Sequence, residues 1–248
     1  VLYPIAWAHR SINRFYLPPE RRDDEELLRR LSTEPDPSRV GVMHLANDRD
    51  ERGGFSLYIP EYARLGERSP LVIALHGGSG HGHDFVWAWL KAARAAGVIV
   101  LSPTSINRTW PLNSEDHDTP NIRRMIEAVA IRYPIDRSRV LLTGMSDGGT
   151  FSTLCGLFEV LPATHVAPIS SSFNPRLLEH VSPARLQGLP FYLVHGEHDW
   201  MFPVSVARAA RDALTRAGVR LVYREIADLG HTYPREENAR ILEWFLSD

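Results

Sequence analysis

The stretch that most constrains this chain is Leu141-Leu142-Thr143-Gly144-Met145-Ser146-Asp147-Gly148-Gly149. It opens from an apolar run, Val140-Leu141-Leu142, that reads as a buried strand. It leaves in Thr150 to Phe158, whose spacing suits a helix. A strand that turns sharply into a helix through Gly-x-Ser-x-Gly holds its serine on a strained turn, with the hydroxyl presented at the end of a sheet. The glycines have a steric cause. At Gly144 and Gly148 the strand and helix backbones pass close together, and a side chain at either place would clash. The competing reading is a glycine-rich turn that happens to contain a serine, and the flanking strand and helix argue against it.

A chain of 248 residues, 44% of them hydrophobic, suits one sizeable α/β domain with a well-buried core. Net charge is −2 with acids and bases interspersed, so nothing steers the chain to nucleic acid or to an anionic membrane. No apolar run approaches the ~20 residues that span a bilayer. The single cysteine, Cys155, excludes an intrachain disulfide. A cytoplasmic location is the expectation, and the start at Val1 rather than Met leaves room for a removed signal peptide.

Residues 1–35 are expected to form an irregular segment and a helix packed on the body. Tyr3, Pro4, Trp7, Phe15, Tyr16, Pro18 and Pro19 mark the irregular part, and Glu20 to Leu31 the amphipathic helix, with its charges on a solvated face. Residues 36–248 form the main domain. Val40 to Ala46 and Phe55 to Ile59 read as an antiparallel hairpin across a polar connector ending in Gly53-Gly54. Apolar strands then alternate with helices. The strands are Leu71 to Leu75, Val98 to Leu101, Arg139 to Leu142, Val166 to Ile169, Pro190 to Val194 and Arg220 to Ile226. The helices are His83 to Ala96, Asn121 to Tyr133, Pro203 to Ala217 and Pro234 to Leu246. That alternation implies a mostly parallel sheet with helices on both faces. Ligand sites in such sheets lie beyond the carboxyl ends of the strands.

A serine hydroxyl needs a base to take its proton, and the base needs a group that fixes its tautomer. Candidates belong in loops after later strands. Phe191 to Val194 runs into His195-Gly196-Glu197-His198-Asp199, where Asp199 sits in the loop proper and Glu197 is its competitor, nearer the strand end. Asp199 as a mere helix cap is weakened by Trp200 to Pro203, which separate it from the next helix. His231, in Leu229-Gly230-His231-Thr232, lies between the last strand and the last helix and completes the chain order Ser, Asp, His. The glycine loop His76-Gly77-Gly78-Ser79-Gly80 follows the strongest apolar strand. It can aim the Gly77 and Gly78 N–H groups at an oxyanion, with the Asp147 N–H as second donor. It has neither the ending of a P-loop nor the spacing of a dinucleotide site. His81-Gly82-His83-Asp84 falls short of metal-ligand spacing, so no metal is expected. Cys155 reads as a small buried hydrophobe. Trp87, Trp89, Trp110, Met145, Trp200 and Phe202 are candidate pocket walls, each with a place in the core as its alternative, and Trp110 and Trp200 are best placed.

The pieces His76-Gly77-Gly78, Gly144-Met145-Ser146-Asp147-Gly148-Gly149, His198-Asp199 and Gly230-His231 resemble the α/β-hydrolase superfamily. Within it they look most like the phospholipase/carboxylesterase and polyhydroxybutyrate-depolymerase-like esterases, feruloyl esterases included. Tyr133 to Val140 strengthens the likeness, which covers roughly Leu57 to Phe245. Asp147 departs from it, standing where that group often has Asn, Gln or His. The resemblance implies an α/β-hydrolase fold and a serine hydrolase that cleaves carboxylic esters through a Ser146–His231–Asp199 triad and an acyl-enzyme. It implies a small-molecule ester as partner and no cofactor. Neither Ser102 to Pro120 nor Ser170 to Leu189 is long enough for a large cap domain, so the site should be open and suited to short acyl or compact aromatic esters. The alternatives are a prolyl-oligopeptidase-like peptidase, whose propeller domain this chain lacks, and a binding module that has lost catalysis.

Overall fold

The computed structural model describes residues 17, 19–31, 40–61 and 66–247. The expectation for residues 1–16 lies outside them. An eight-stranded sheet runs in the order β1-β2-β4-β3-β5-β6-β7-β8. Its strands are β1 (Gly41–Leu45), β2 (Phe55–Ile59), β3 (Ser69–Leu75), β4 (Ile99–Pro103), β5 (Ile135–Met145), β6 (His165–Ile169), β7 (Pro190–Gly196) and β8 (Arg220–Ile226). β1 and β2 pair antiparallel, β2 lies antiparallel to β4, and the remaining pairs are parallel. This is the expected mostly parallel sheet with an antiparallel hairpin at its start.

Helices cover both faces: α1 (Glu25–Leu31), α2 (Gly82–Ala96), α3 (Asp118–Arg132), α4 (Asp147–Leu157), α5 (Pro183–Gly188), α6 (Val204–Arg216) and α7 (Glu237–Ser247). Strand periodicity sorts the core. Leu71, Ile73 and Leu75 of β3 join Ile122, Met125, Ile126 and Val129 of α3 on one face. Val72 and Ala74 join Trp89 and Ala93 of α2, and Ile241, Leu242 and Phe245 of α7, on the other. Successive residues of a strand point to opposite faces, so a strand covered twice must be apolar throughout. Leu17 and Leu27 seat the described N-terminal part against Ala95.

β5 begins earlier than the apolar run suggests. Its first half, Ile135 to Arg139, is largely polar and pairs with β3 only at Ile135 and Ser69, ahead of a register shift. Between β6 and β7 the chain forms a 3-10 turn, Pro175–His180, and α5, with no cap among the described residues. The chain places β4 on one side of β3 and β5 on the other. The crevice at the carboxyl ends of β3 and β5 is therefore a topological switch point, where two strand-to-helix loops diverge and leave room for a ligand.

Candidate active site

Both loops at that switch point carry candidate residues. β5 ends at Met145 and α4 begins at Asp147, so Ser146 makes the whole turn alone. Its backbone sits at φ 55° and ψ −120°, a conformation that a side-chain-bearing residue adopts only under constraint. Packing supplies the constraint. A Cβ on Gly144 would lie 2.5 Å from the Gly148 backbone, and one on Gly148 would lie 2.4 Å from the carbonyl oxygens of Leu75 and His76. The Ser146 N–H donates to the Ile169 carbonyl at 3.0 Å, which ties the turn to β6.

Ser146 Oγ lies 3.0 Å from Nε2 of His231, and Nδ1 of His231 lies 2.9 Å from Oδ2 and 3.1 Å from Oδ1 of Asp199. A carboxylate can only accept, so Nδ1 carries the proton and Nε2 is left to accept from the serine. Asp199 is buried and also takes the N–H groups of Met201 at 2.9 Å and Phe202 at 2.8 Å on Oδ1. Burial alone would raise its pKa. The Phe202 N–H, the hydrogen bond and charge of His231, and the Met201 N–H outweigh burial and hold the carboxyl below its ordinary value. Glu197 is exposed, and its N–H pairs with the Ile226 carbonyl.

On the other side of the serine, a Cβ on Gly77 would sit 3.5 Å from Ser146 Cβ, so this glycine faces Ser146. The N–H groups of Ser79 and Gly80 are taken by the carbonyls of Arg108 and Gly77. Those of Gly77, Gly78 and Asp147 have no partner among the described residues. Asp147 opens α4, and first-turn N–H groups have no acceptor inside a helix. The Asp147 carboxylate turns aside to accept from Thr109 Oγ1 and rests against Gly78.

Two buried histidines brace these loops. His76 accepts the Ser105 N–H on Nε2 at 3.1 Å and donates from Nδ1 to the Gly77 carbonyl at 2.7 Å. Burial drives its pKa down to about 4, against the opposing pull of the Gly77 carbonyl. Arg52, in the polar connector between β1 and β2, clamps the same region through the carbonyls of Ser105, Asn107 and Gly80. His195 stands behind Asp199. Its Nε2 donates to the Phe202 carbonyl at 2.8 Å and lies 3.6 Å from Asp199 Oδ2.

The expected pocket walls divide. Trp200 and Phe202 stand edge-on to the His231 ring, with centroids 5.8 and 5.5 Å away. Met145 is half-buried at the last position of β5. Trp110 does not line the opening and is corrected to a core residue. It is 2% exposed, its Nε1 donates to the His76 carbonyl at 2.7 Å, and it stacks on Phe151. Trp89 is likewise corrected: it is fully buried in α2, whereas Trp87 lies on the exposed side of that helix. His81 caps α2 by accepting the His83 N–H. Cys155 is buried, and burial pushes its thiol up to about 12. The sequence pattern does not single out His195 or Thr109 as site residues. The only available signal was the repeated pattern of a histidine and a glycine closing an apolar strand, at 75–77 and again at 194–196.

A sequence model of the phospholipase/carboxylesterase family matches residues 108–247. The chain belongs to the phospholipase/carboxylesterase family. Over 156 residues it is 26% identical to the bifunctional acetylxylan esterase/xylanase XynS20E of Neocallimastix patriciarum. That match takes in 61% of this chain and 22% of the relative, so it spans about a fifth of the relative's length. Among solved structures, a thermostable esterase superposes with a TM-score of 0.64 at 21% identity, over 85% of this chain and 63% of that one. FphF, a fluorophosphonate-binding serine hydrolase of Staphylococcus aureus solved with substrate bound, superposes with a TM-score of 0.67 at 15% identity, over 84% and 98%. At these identities the likeness is one of fold, and the fold is that of the α/β hydrolases. Within this phospholipase/carboxylesterase member, no helix among the described residues is long and apolar enough to cross a membrane.

Proposed function

We propose that this chain is a serine hydrolase that cleaves carboxylic esters through an acyl-enzyme. The observation that carries the reading is the hydrogen-bonded series Ser146–His231–Asp199 at the switch point of the sheet. Ser146 Oγ attacks the ester carbonyl carbon as His231 Nε2 takes its proton. The carbonyl electrons move onto oxygen, which the free N–H groups of Gly77, Gly78 and Asp147 hold. His231 then returns the proton to the alcohol oxygen as the C–O bond breaks, leaving the acyl group on Ser146. Water, deprotonated by the same nitrogen, releases the acid and restores the serine. Asp199 keeps Nε2 free to accept and stabilises the imidazolium. Every step uses side chains and backbone of this chain, with no cofactor.

The substrates proposed are short acyl or compact aromatic esters. No cap covers the serine among the described residues, and a long acyl chain needs an extended apolar surface to leave water. The relative named as an acetylxylan esterase supports a small acyl group.

Ser146→Ala should lower kcat/KM on p-nitrophenyl acetate by about 10³-fold or more and abolish labelling by a fluorophosphonate probe. Along p-nitrophenyl esters from acetate to palmitate, kcat/KM should peak among the short chains. Near-full activity in Ser146→Ala would sink the mechanism, and a maximum at palmitate would sink the substrate class.

A further inference from the structure

An indole standing free beside a catalytic base calls for a reason. Trp200 is 74% exposed, with Met201 beside it at 45%. Large apolar rings are normally turned inward, because each leaves a large area of nonpolar surface in water. Two ordinary reasons for this ring fail. It is not needed to hold His231, because Asp199 grips Nδ1 and the half-buried Phe202 already packs on the imidazole from its own position. It is not a plug in the core, because nothing among the described residues covers it.

Its position fixes which half of an ester it can meet. His231 Nε2 hands the proton to the departing alcohol oxygen, so the alcohol half of the substrate lies on the His231 side of Ser146. The acyl oxygen lies on the opposite side, at Gly77. Trp200 sits 5.8 Å from the imidazole centre, a span that a ring attached to the departing oxygen would cover.

The surroundings decide the kind of ring. The two loops that deliver Asp199 and His231 also present His198, Asp228 and Thr232 to solvent, with His198 Nε2 and Asp228 Oδ1 3.7 Å apart. An aryl group gains most from a slot that covers both of its faces. A pyranose has one face of C–H groups, which can lie on an indole, and a rim of hydroxyls, which need water or polar partners. One open aromatic plane, on loops that also carry exposed polar side chains, matches the pyranose.

We propose that Trp200 is the floor of a subsite for a pyranose ring carried on the alcohol oxygen, so that this site takes acyl groups esterified to sugars. The proposal rests on the esterase reading above and deepens it. In an open site the rest of a glycan can stay outside, so an acetyl group on a chain of sugars is as accessible as one on a single sugar.

Two measurements separate the subsite from the chemistry. The first compares kcat/KM for a monoacetate of methyl β-xylopyranoside with kcat/KM for ethyl acetate. That ratio should fall about tenfold in Trp200→Ala and recover in part in Trp200→Phe. The second is saturation-transfer NMR of Ser146→Ala with methyl β-xylopyranoside itself, which reads binding with no ester present. Transfer to the ring C–H protons should be clear, and lost when Trp200→Ala is added. A sugar that binds through Trp200 in a protein that cleaves no ester would overturn the esterase reading and leave the subsite standing. Ester cleavage with an unchanged ratio and no transfer would overturn the subsite alone. A ratio that falls only when phenyl acetate replaces the sugar ester would make the ring an aryl platform instead.

Discussion

His76 and His195 hold equivalent places and do different work. Each lies at the carboxyl end of an apolar strand, each is followed by a glycine, and each is almost wholly buried behind one wall of the site. His76 uses both nitrogens, accepting from Ser105 and donating to Gly77, so the Gly77–Gly78 loop is pinned from two directions. His195 uses one. Its Nε2 reaches the Phe202 carbonyl, and its Nδ1 is buried without a partner among the described residues. The Gly77–Gly78 side must hold bare backbone in place, because glycines have no side chains with which to anchor themselves. The acid side has anchors of its own, since Asp199 accepts two backbone N–H groups directly. A brace is therefore shared on one side and concentrated on the other.

The largest effect should come from separating charge from scaffold on the acid side. Asp199→Asn can keep the Met201 and Phe202 bonds through its amide oxygen, while its NH₂ turns His231 Nδ1 into an acceptor. Nε2 then carries the proton and cannot take the one from serine. We expect kcat to fall by about 10⁴-fold with little change in KM or in melting temperature. A comparable loss in Glu197→Gln would move the acid out of the buried loop.

His76→Phe tests the oxyanion side. It keeps the volume but strands the Ser105 N–H and releases the Gly77 carbonyl. The donors remain but are no longer aimed, so kcat should fall by about 10²-fold, at the low end for a lost oxyanion contact. Stability carries a second signature. The folded-state pKa of His76 is about 4 against an ordinary 6.5. As pH falls from 6.5 towards 4, the unfolded chain takes up a proton that the folded chain refuses, so stability drops through that window and the loss is complete below it. The shift is worth about 3 kcal/mol. His44 is also lowered by burial and adds a slope of the same sign. Thermal melts between pH 7 and pH 4 should therefore flatten, but not level, in His76→Phe. An unchanged slope would mean that His76 takes up its proton without resistance.

Much of this was legible in the sequence, and the illegible parts share a cause. β3 and the second half of β5 announced themselves because burial on both faces forces an unbroken apolar run. Ser146, Asp199 and His231 stand out as candidates because a strained turn and a fixed chain order leave few choices, and the structure brings the three side chains together. The start of β5 was hidden, since Asp136, Arg137 and Ser138 look like a loop until Ile135 is seen beside Ser69. Trp110 is ambiguous in the sequence because a tryptophan in a loop reads the same whether the loop folds outward or inward. What turns it inward is the His76 carbonyl and the face of Phe151. Periodicity reports which side of an element is buried. It does not report which distant carbonyl a buried polar atom will meet.

The smallest expected effect is at His195, and it is the sharpest test of the asymmetry. His195→Phe fills the same space without a donor, so the hydrogen bond to the Phe202 carbonyl is lost. Leaving an acceptor unpaired costs about 1–3 kcal/mol when it is fully buried, and this carbonyl is part-buried, so thermal unfolding should register a loss at the low end of that range. Catalysis should suffer less. The Phe202 N–H still reaches Asp199 Oδ1, and His231 still meets Oδ2, so Asp199 loses a support and keeps its direct bonds. We expect kcat to fall about tenfold or less, with KM unchanged, and His195→Gln to recover part of the stability if its amide reaches the same carbonyl. His195 also lies 3.6 Å from Asp199 Oδ2, close enough for its Nε2–H to steady the carboxylate's charge. If that contact mattered more than the carbonyl bond, His195→Phe would reduce kcat as far as Asp199→Asn does while barely moving the melting temperature. The acid side would then depend on its buried histidine as heavily as the oxyanion side does.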